Sequence, residues 1–161
     1  MHAVSPPEVS LRTHLLDDHG RIETLMNDVL EACAHDDREG LSIAWTALDA
    51  GLSAHLEAEE QLLIPVLMRT SERDARAIVS EHRHIRTRLV ELGTAVDLHT
   101  VRAEAAKSFV DELRAHASHE DTILYQHCED ALSHDEHLNV LETLADLLKE
   151  RLGRIKKPRG M

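Results

Sequence analysis

Aromatic side chains are nearly missing from this 161-residue chain: Trp45, Phe109 and Tyr125 are the only three. Its core must therefore be built from Leu, Ile, Val and Ala. The β-branched residues do not gather in alternating runs, so this composition reads as helix. Basic residues are also scarce. There are 18 Lys and Arg against 30 Asp and Glu, a formal net charge of -12. That deficit excludes a nucleic-acid partner, whose phosphates demand a basic surface, and equally an anionic membrane face. No stretch approaches the ~20 apolar residues of a membrane span. The N-terminus lacks a basic start followed by an apolar run, so no signal peptide is read. Cysteine is limited to Cys33 and Cys128, far apart and in no CxxC pair, which fits two reduced thiols in a cytoplasmic protein. The expected product is one soluble cytoplasmic domain over residues 9–152, followed by a basic, frayed tail over 153–161.

Apolar periodicity and breaks divide the chain into five helical segments. The first runs from about Val9 to His35, after Pro6 and Pro7, with Leu11, Leu15, Ile22, Met26 and Val29 at helical intervals. Asp36 and Asp37 break the chain and cap the second, Arg38 to Arg69, in which Pro65 predicts a kink or local irregularity. Ser71 with Asp74 resembles a capping box ahead of the third, from about Glu72 to Val96. Thr100 is read as the N-cap of the fourth, from Val101 to Ala131. Ser133 and Glu136 form a capping box for the fifth, which carries a stripe of Leu138, Leu141, Leu144, Leu148 and Leu152 and stops at Gly153. Short connections place consecutive helices antiparallel. The fold class is all-α: an antiparallel up-down-up-down four-helix bundle with an additional C-terminal helix, which packs outside or mediates dimerisation.

Within this pattern one constellation occurs twice. Asp18-His19 with Ile22 is followed by His55-x-x-x-Glu59-Glu60-x-x-Leu63. Glu81-His82 with Ile85 is followed by His116-x-x-x-Glu120-Asp121-x-x-Leu124. An i, i+4 pair shares a helix face, so His55 faces with Glu59 and His116 with Glu120. Antiparallel packing brings His19 level with His55, and His82 level with His116. Ile22, Met26, Ile85 and Leu89 continue the same faces into the apolar stripe, so these histidines line the interior. Four buried imidazoles and two buried carboxylates would be costly without a cation, and a redox-active metal such as iron suits the set. At i+5, Glu60 and Asp121 are rotated off the face; they either orient the ligands from outside or are solvated.

The other histidines read differently. His84 points elsewhere and is exposed. His14 is a surface or supporting residue, and His119 reaches at most the pocket edge. His2, His35, His99, His127, His134 and His137 fall at ends or breaks and read as solvated. Tyr125 is either a hydrogen-bond donor to a metal-bound oxygen species or an ordinary residue of the bundle flank. Trp45 is expected where the second helix meets a neighbour.

The two quartets, with Leu63-Ile-Pro65 after the first, resemble the hemerythrin-like, or HHE cation-binding, family over about residues 10 to 130. That resemblance implies an antiparallel four-helix bundle holding two iron ions with an oxo, hydroxo or water bridge. His19 and His55 would hold one iron and His82 and His116 the other, with Glu59 and Glu120 bridging. Oxygen carriers of the family bear an extra histidine four residues after the third-helix ligand, where this chain has Arg86. They also use an acid five residues after the fourth-helix histidine, the place of Asp121. The implied site is thus a symmetric set of four histidines and two glutamates. The implied function is binding of, or reaction with, oxygen, peroxide or nitric oxide, by a monomer or homodimer. A non-catalytic iron sensor or store using the same residues is the alternative.

Overall fold

The computed structural model describes residues 10–156 and is all-helical. The N-terminal proline pair and the residues from 157 onward lie outside the described residues. Helix α1 spans Leu11–Ala34, capped by Ser10, whose hydroxyl accepts from the Thr13 amide at 3.0 Å. Asp37 caps α2, Arg38–Leu62, by accepting from the Gly40 amide at 2.9 Å. A Cβ at Gly40 would lie against that carboxylate, so this glycine lets the cap close over the helix start. The turn before it is made by Asp36 at φ 52, a left-handed conformation that aspartate tolerates better than most residues.

Pro65 does more than kink the second segment. The helix ends at Leu62, Leu63 forms a turn, and a separate α3 begins at Ile64 and runs to Thr70. Proline has no amide to give to the carbonyl four residues back, and its ring crowds that carbonyl. Helix α4 is Glu72–Asp97; at its start the Ser71 hydroxyl donates to Asp74 at 2.7 Å and caps no backbone amide. The next segment starts at Ala103, two residues later than expected. Thr100 is not its N-cap: its hydroxyl donates back to the Ala95 carbonyl, and extended Arg102 stands at the boundary. This segment comprises α5, Ala103–Glu120, a π-helical turn over Asp121–Tyr125, and α6, Gln126–Ala131. The Ser133 and Glu136 capping box is reciprocal, with bonds of 3.2 and 3.1 Å, and opens α7, His134–Lys156. Gly153 does not end α7.

Helices α1, α2, α5 and α4 close a ring in which α1 adjoins α2 and α5, and α4 adjoins the same two. With short connections this is the expected up-down-up-down bundle. Helix α7 lies on its outside, along α2 and α1. Its seam is not the full leucine stripe: Val140 and Leu144 are buried, whereas Leu138 and Leu152 are exposed. Arg151 fixes the far end by pairing with Glu57 of α2 at 2.8 Å.

Two apolar clusters fill the bundle. One joins Ile22, Met26, Trp45, Leu56, Ile85, Phe109 and Leu113. Trp45 and Phe109 meet there with ring centroids 6.0 Å apart, and the Trp45 indole lies against Gly93 of α4. The other joins Leu11, Leu15, Leu63, Ile78, Leu124, Tyr125 and Val140. Between them, in every helix of the ring, sits a histidine. His19 stands between Leu15 and Ile22, His55 ahead of Leu56, His82 between Ile78 and Ile85, and His116 after Leu113.

Candidate metal centre

The interior layer between the clusters is polar and mostly buried. His55, Glu59, His82, His116 and Glu120 are buried, and only His19 retains partial exposure. Their donor atoms fall into two groups with all members within 4.8 Å of one another: His19, His55, Glu59 and Glu120, and Glu59, His82, His116 and Glu120. Glu59 and Glu120 belong to both. Every side chain expected in the pocket is thus brought to one level.

The contacts within the layer are those of converging lone pairs. Glu120 Oε1 lies 2.5 Å from His116 Nε2, and Glu120 Oε2 lies 3.7 Å from His82 Nε2. Glu59 reaches His55 Nε2 with one oxygen and stands 3.3 Å from His82 Nε2 with the other. Yet Glu59 Oε2, both oxygens of Glu120, His82 Nε2 and His116 Nε2 are buried without any hydrogen-bond partner. A buried polar atom left this way costs about 1–3 kcal/mol. Nitrogen and oxygen donors gathered this closely around common points fit a cation.

The outward nitrogens orient the rings. His55 Nδ1 donates to Asp18 Oδ2 at 2.5 Å, His116 Nδ1 to Glu81 Oε1 at 3.3 Å, and His82 Nδ1 to Glu60 Oε1 at 3.0 Å. In the neutral ring each bond selects the tautomer that leaves Nε2 free for the interior. Asp18 and Glu81 were missed as supporting residues. Each precedes a histidine of its own helix but serves the histidine of the neighbouring helix, a relation that helix periodicity does not reveal. Their signal was in the sequence all the same, as an acid-His dipeptide present in both halves. Glu60 acts as an orienting residue, tied outward to Arg86. Asp121 does not: it faces Arg12, with contacts of 3.0 and 2.9 Å.

Titration follows this packing. Burial, and then the neighbouring His55, push His19 down from 6.5 to about 4. Burial and the nearby His82 lower His116 as well. Burial would also lower His82, but the adjacent Glu59 and Glu60 carboxylates outweigh it and raise that residue. For Glu59, burial pulls upward and is overcome by His55 and His82, leaving a carboxylate well below its usual range. For Glu60 burial also pulls upward, but His82 and Arg86 outweigh it and bring it down to about 2.

Tyr125 was left open between the pocket and the flank. It is not a flank residue: it is fully buried, and its hydroxyl donates to Glu59 Oε1 at 2.7 Å while standing 2.6 Å from His19 Nε2 and 2.9 Å from His55 Nε2. In a regular helix Tyr125 would be rotated about 140° from Glu120. The π turn inserts one extra residue, which brings that angle to about 40°. No sequence feature announced that turn.

Of the remaining histidines, His84 is exposed and pairs with Glu112, and His119 meets Glu81 at the pocket edge at 2.6 Å. His127 and His137 are not simply solvated. His127 hydrogen-bonds Thr70 at 2.9 Å, and Nε2 of His137 is buried.

The duplicated donor set has a counterpart among known families. The model of the hemerythrin HHE cation binding domain matches twice, over residues 10–78 and 73–159. The chain belongs to the hemerythrin HHE cation-binding family. Each match holds one copy of the constellation, and the hemerythrin bundle supplies the metal-compatible clusters described above. No curated protein and no solved structure matches the chain. No helix among the described residues of this hemerythrin-family chain is long and apolar enough to cross a membrane.

Proposed function

We propose that the chain is a non-haem di-iron protein that binds or reacts with oxygen, peroxide or nitric oxide. His19, His55, Glu59, His82, His116 and Glu120 would hold the metals. The observation that carries this reading is the pair of donor groups sharing Glu59 and Glu120, whose inward atoms are buried and unpartnered. When bound, iron supplies Lewis acidity and electrons for chemistry on a small oxidant or diatomic ligand. The chain supplies the geometry. Asp18, Glu81 and Glu60 hold three imidazoles with Nε2 inward, and apolar clusters close the layer above and below.

A cavity of about 290 Å³ reaches this layer between α1 and α5. Its walls include His19, His55, His116 and Glu120 together with apolar Ile22 and Leu52. Direct access for a small molecule favours a reactive or ligand-binding role over storage. Arg114 and Glu23, paired at 2.6 Å, stand on the rim. The net charge of -12 argues against a nucleic-acid or anionic membrane partner, and the proposal takes the protein as a cytoplasmic monomer or homodimer.

Metal analysis of aerobically and anaerobically purified protein tests the proposal. Two irons per chain and near-ultraviolet absorption of a bridged ferric pair are expected. Turnover of hydrogen peroxide or nitric oxide should disappear in His55→Ala and Glu120→Ala. Metal content near zero after reconstitution sinks the reading; two irons without turnover point instead to an iron sensor or store.

A further inference from the structure

We propose that Tyr125 is itself a metal ligand, its phenolate oxygen completing the His19 and His55 position and making the two positions chemically unequal. The proposal rests on the di-iron reading above and goes beyond the symmetric set of four histidines and two glutamates.

The argument begins with the repeat. Each donor of one half has a counterpart in the other, but Tyr125 corresponds to Ile64, and the chain has no other tyrosine. Ile64 joins an apolar cluster. Tyr125 instead places its oxygen 2.6 Å from His19 Nε2, 2.9 Å from His55 Nε2 and 2.7 Å from Glu59 Oε1, while the two imidazole nitrogens are 3.1 Å apart. One hydroxyl hydrogen satisfies only one of these three neighbours. Donors to a single cation at bond lengths of about 2.1 Å lie about 3.0 Å apart across an octahedral edge. The three distances from the Tyr125 oxygen, and the separation of the two imidazole nitrogens, are close to that edge. Tyr125 is fully buried, so water does not compete for the place. The backbone irregularity that delivers it is the π turn, a feature concentrated at functional sites.

Binding breaks the phenolic O–H bond, forms an oxygen–metal bond and releases the proton to the buffer; no electron moves. The His19 and His55 position then has three anionic donors, Tyr125, Glu59 and Glu120, whereas the His82 and His116 position has two. The first position favours the ferric state more strongly, and the second retains more room for an exogenous ligand.

The full-length chain, loaded with ferrous iron and oxidised in air, gives the test. A visible phenolate-to-ferric charge-transfer band is expected, with resonance Raman modes of a coordinated phenolate ring. Tyr125→Phe should lose both while keeping one or two irons. Two bound irons in the wild-type chain without phenolate modes, or a band that survives in Tyr125→Phe, overturns the assignment and leaves the di-iron reading standing. A wild-type chain that takes up no iron overturns both. The wild-type Raman spectrum decides the matter even where the variant fails to fold.

Discussion

Removing Glu120 should make the metal-free protein more stable. Both Glu120 oxygens are buried without a hydrogen-bond partner, and one lies 2.5 Å from Nε2 of His116. Glu120→Leu deletes two orphaned acceptors, each costing about 1–3 kcal/mol, and a leucine of similar volume gives back less than about 1.5 kcal/mol through imperfect packing. The net gain is about 2 kcal/mol, or about 4–8 °C in Tm for a chain of this size. The opposite holds for the loaded protein. Ligand that binds only the folded state stabilises it by about 2.7 kcal/mol at a hundredfold excess over Kd. Wild type should therefore gain stability on addition of ferrous iron, and Glu120→Leu should not. The assay is calorimetric melting under anaerobic conditions, with chelator and then with iron. A metal-free Glu120→Leu protein that melts below metal-free wild type refutes the reasoning, because the layer would then be self-sufficient.

Acid should weaken the metal-free bundle early. The folded pKa of His19 is depressed from 6.5 to about 4, so its contribution is complete above pH 6.5 and is lost as pH falls toward 4, on the order of 3 kcal/mol in all. His116 acts in the same sense, while the raised His82 opposes it by adding stability below pH 6.5. Urea midpoints with chelator should drop between pH 7 and pH 5; a flat or rising trend contradicts the assigned burial. Asp18→Asn and Glu81→Gln each weaken the anchor of one imidazole, and should lower iron affinity about 10–100-fold with the fold intact by circular dichroism. Equal affinity in competition with a chelator would remove their orienting role. Gly93→Ala puts a methyl group 3.0 Å from Trp45 Nε1, and a cost of about 1–3 kcal/mol is expected in urea unfolding, with no cost if the indole simply moves aside.

The ring of four helices and the level of the histidines were legible because both follow from periodicity and short connections. His55 with Glu59, and His116 with Glu120, are set by one helical turn, and antiparallel neighbours do the rest. What periodicity does not encode was lost or left open. Asp18 and Glu81 act across to a different helix, and Tyr125 reaches the pocket only because a π turn changes the phase of the helix after Glu120. The seam of α7 was misjudged for a related reason. All five leucines share a stripe, but α1 and α2 cover its middle, around Val140 and Leu144, and leave Leu138 and Leu152 beyond the edge. Thr100 was drawn into the wrong helix end because a hydroxyl near a break suits either side of it.

The sharing of Glu59 and Glu120 bears on how the molecule is assembled. Helices α1 and α2 offer His19, His55 and Glu59, but the fourth member of their donor group comes from α5. Helices α4 and α5 offer His82, His116 and Glu120, and likewise wait for α2. Neither half owns a complete centre. The chain is in effect a dimer of two helical hairpins written as one polypeptide, with the carboxylates exchanged across the join. A hairpin expressed alone would have to find a second hairpin before it could offer a cation a full set of donors.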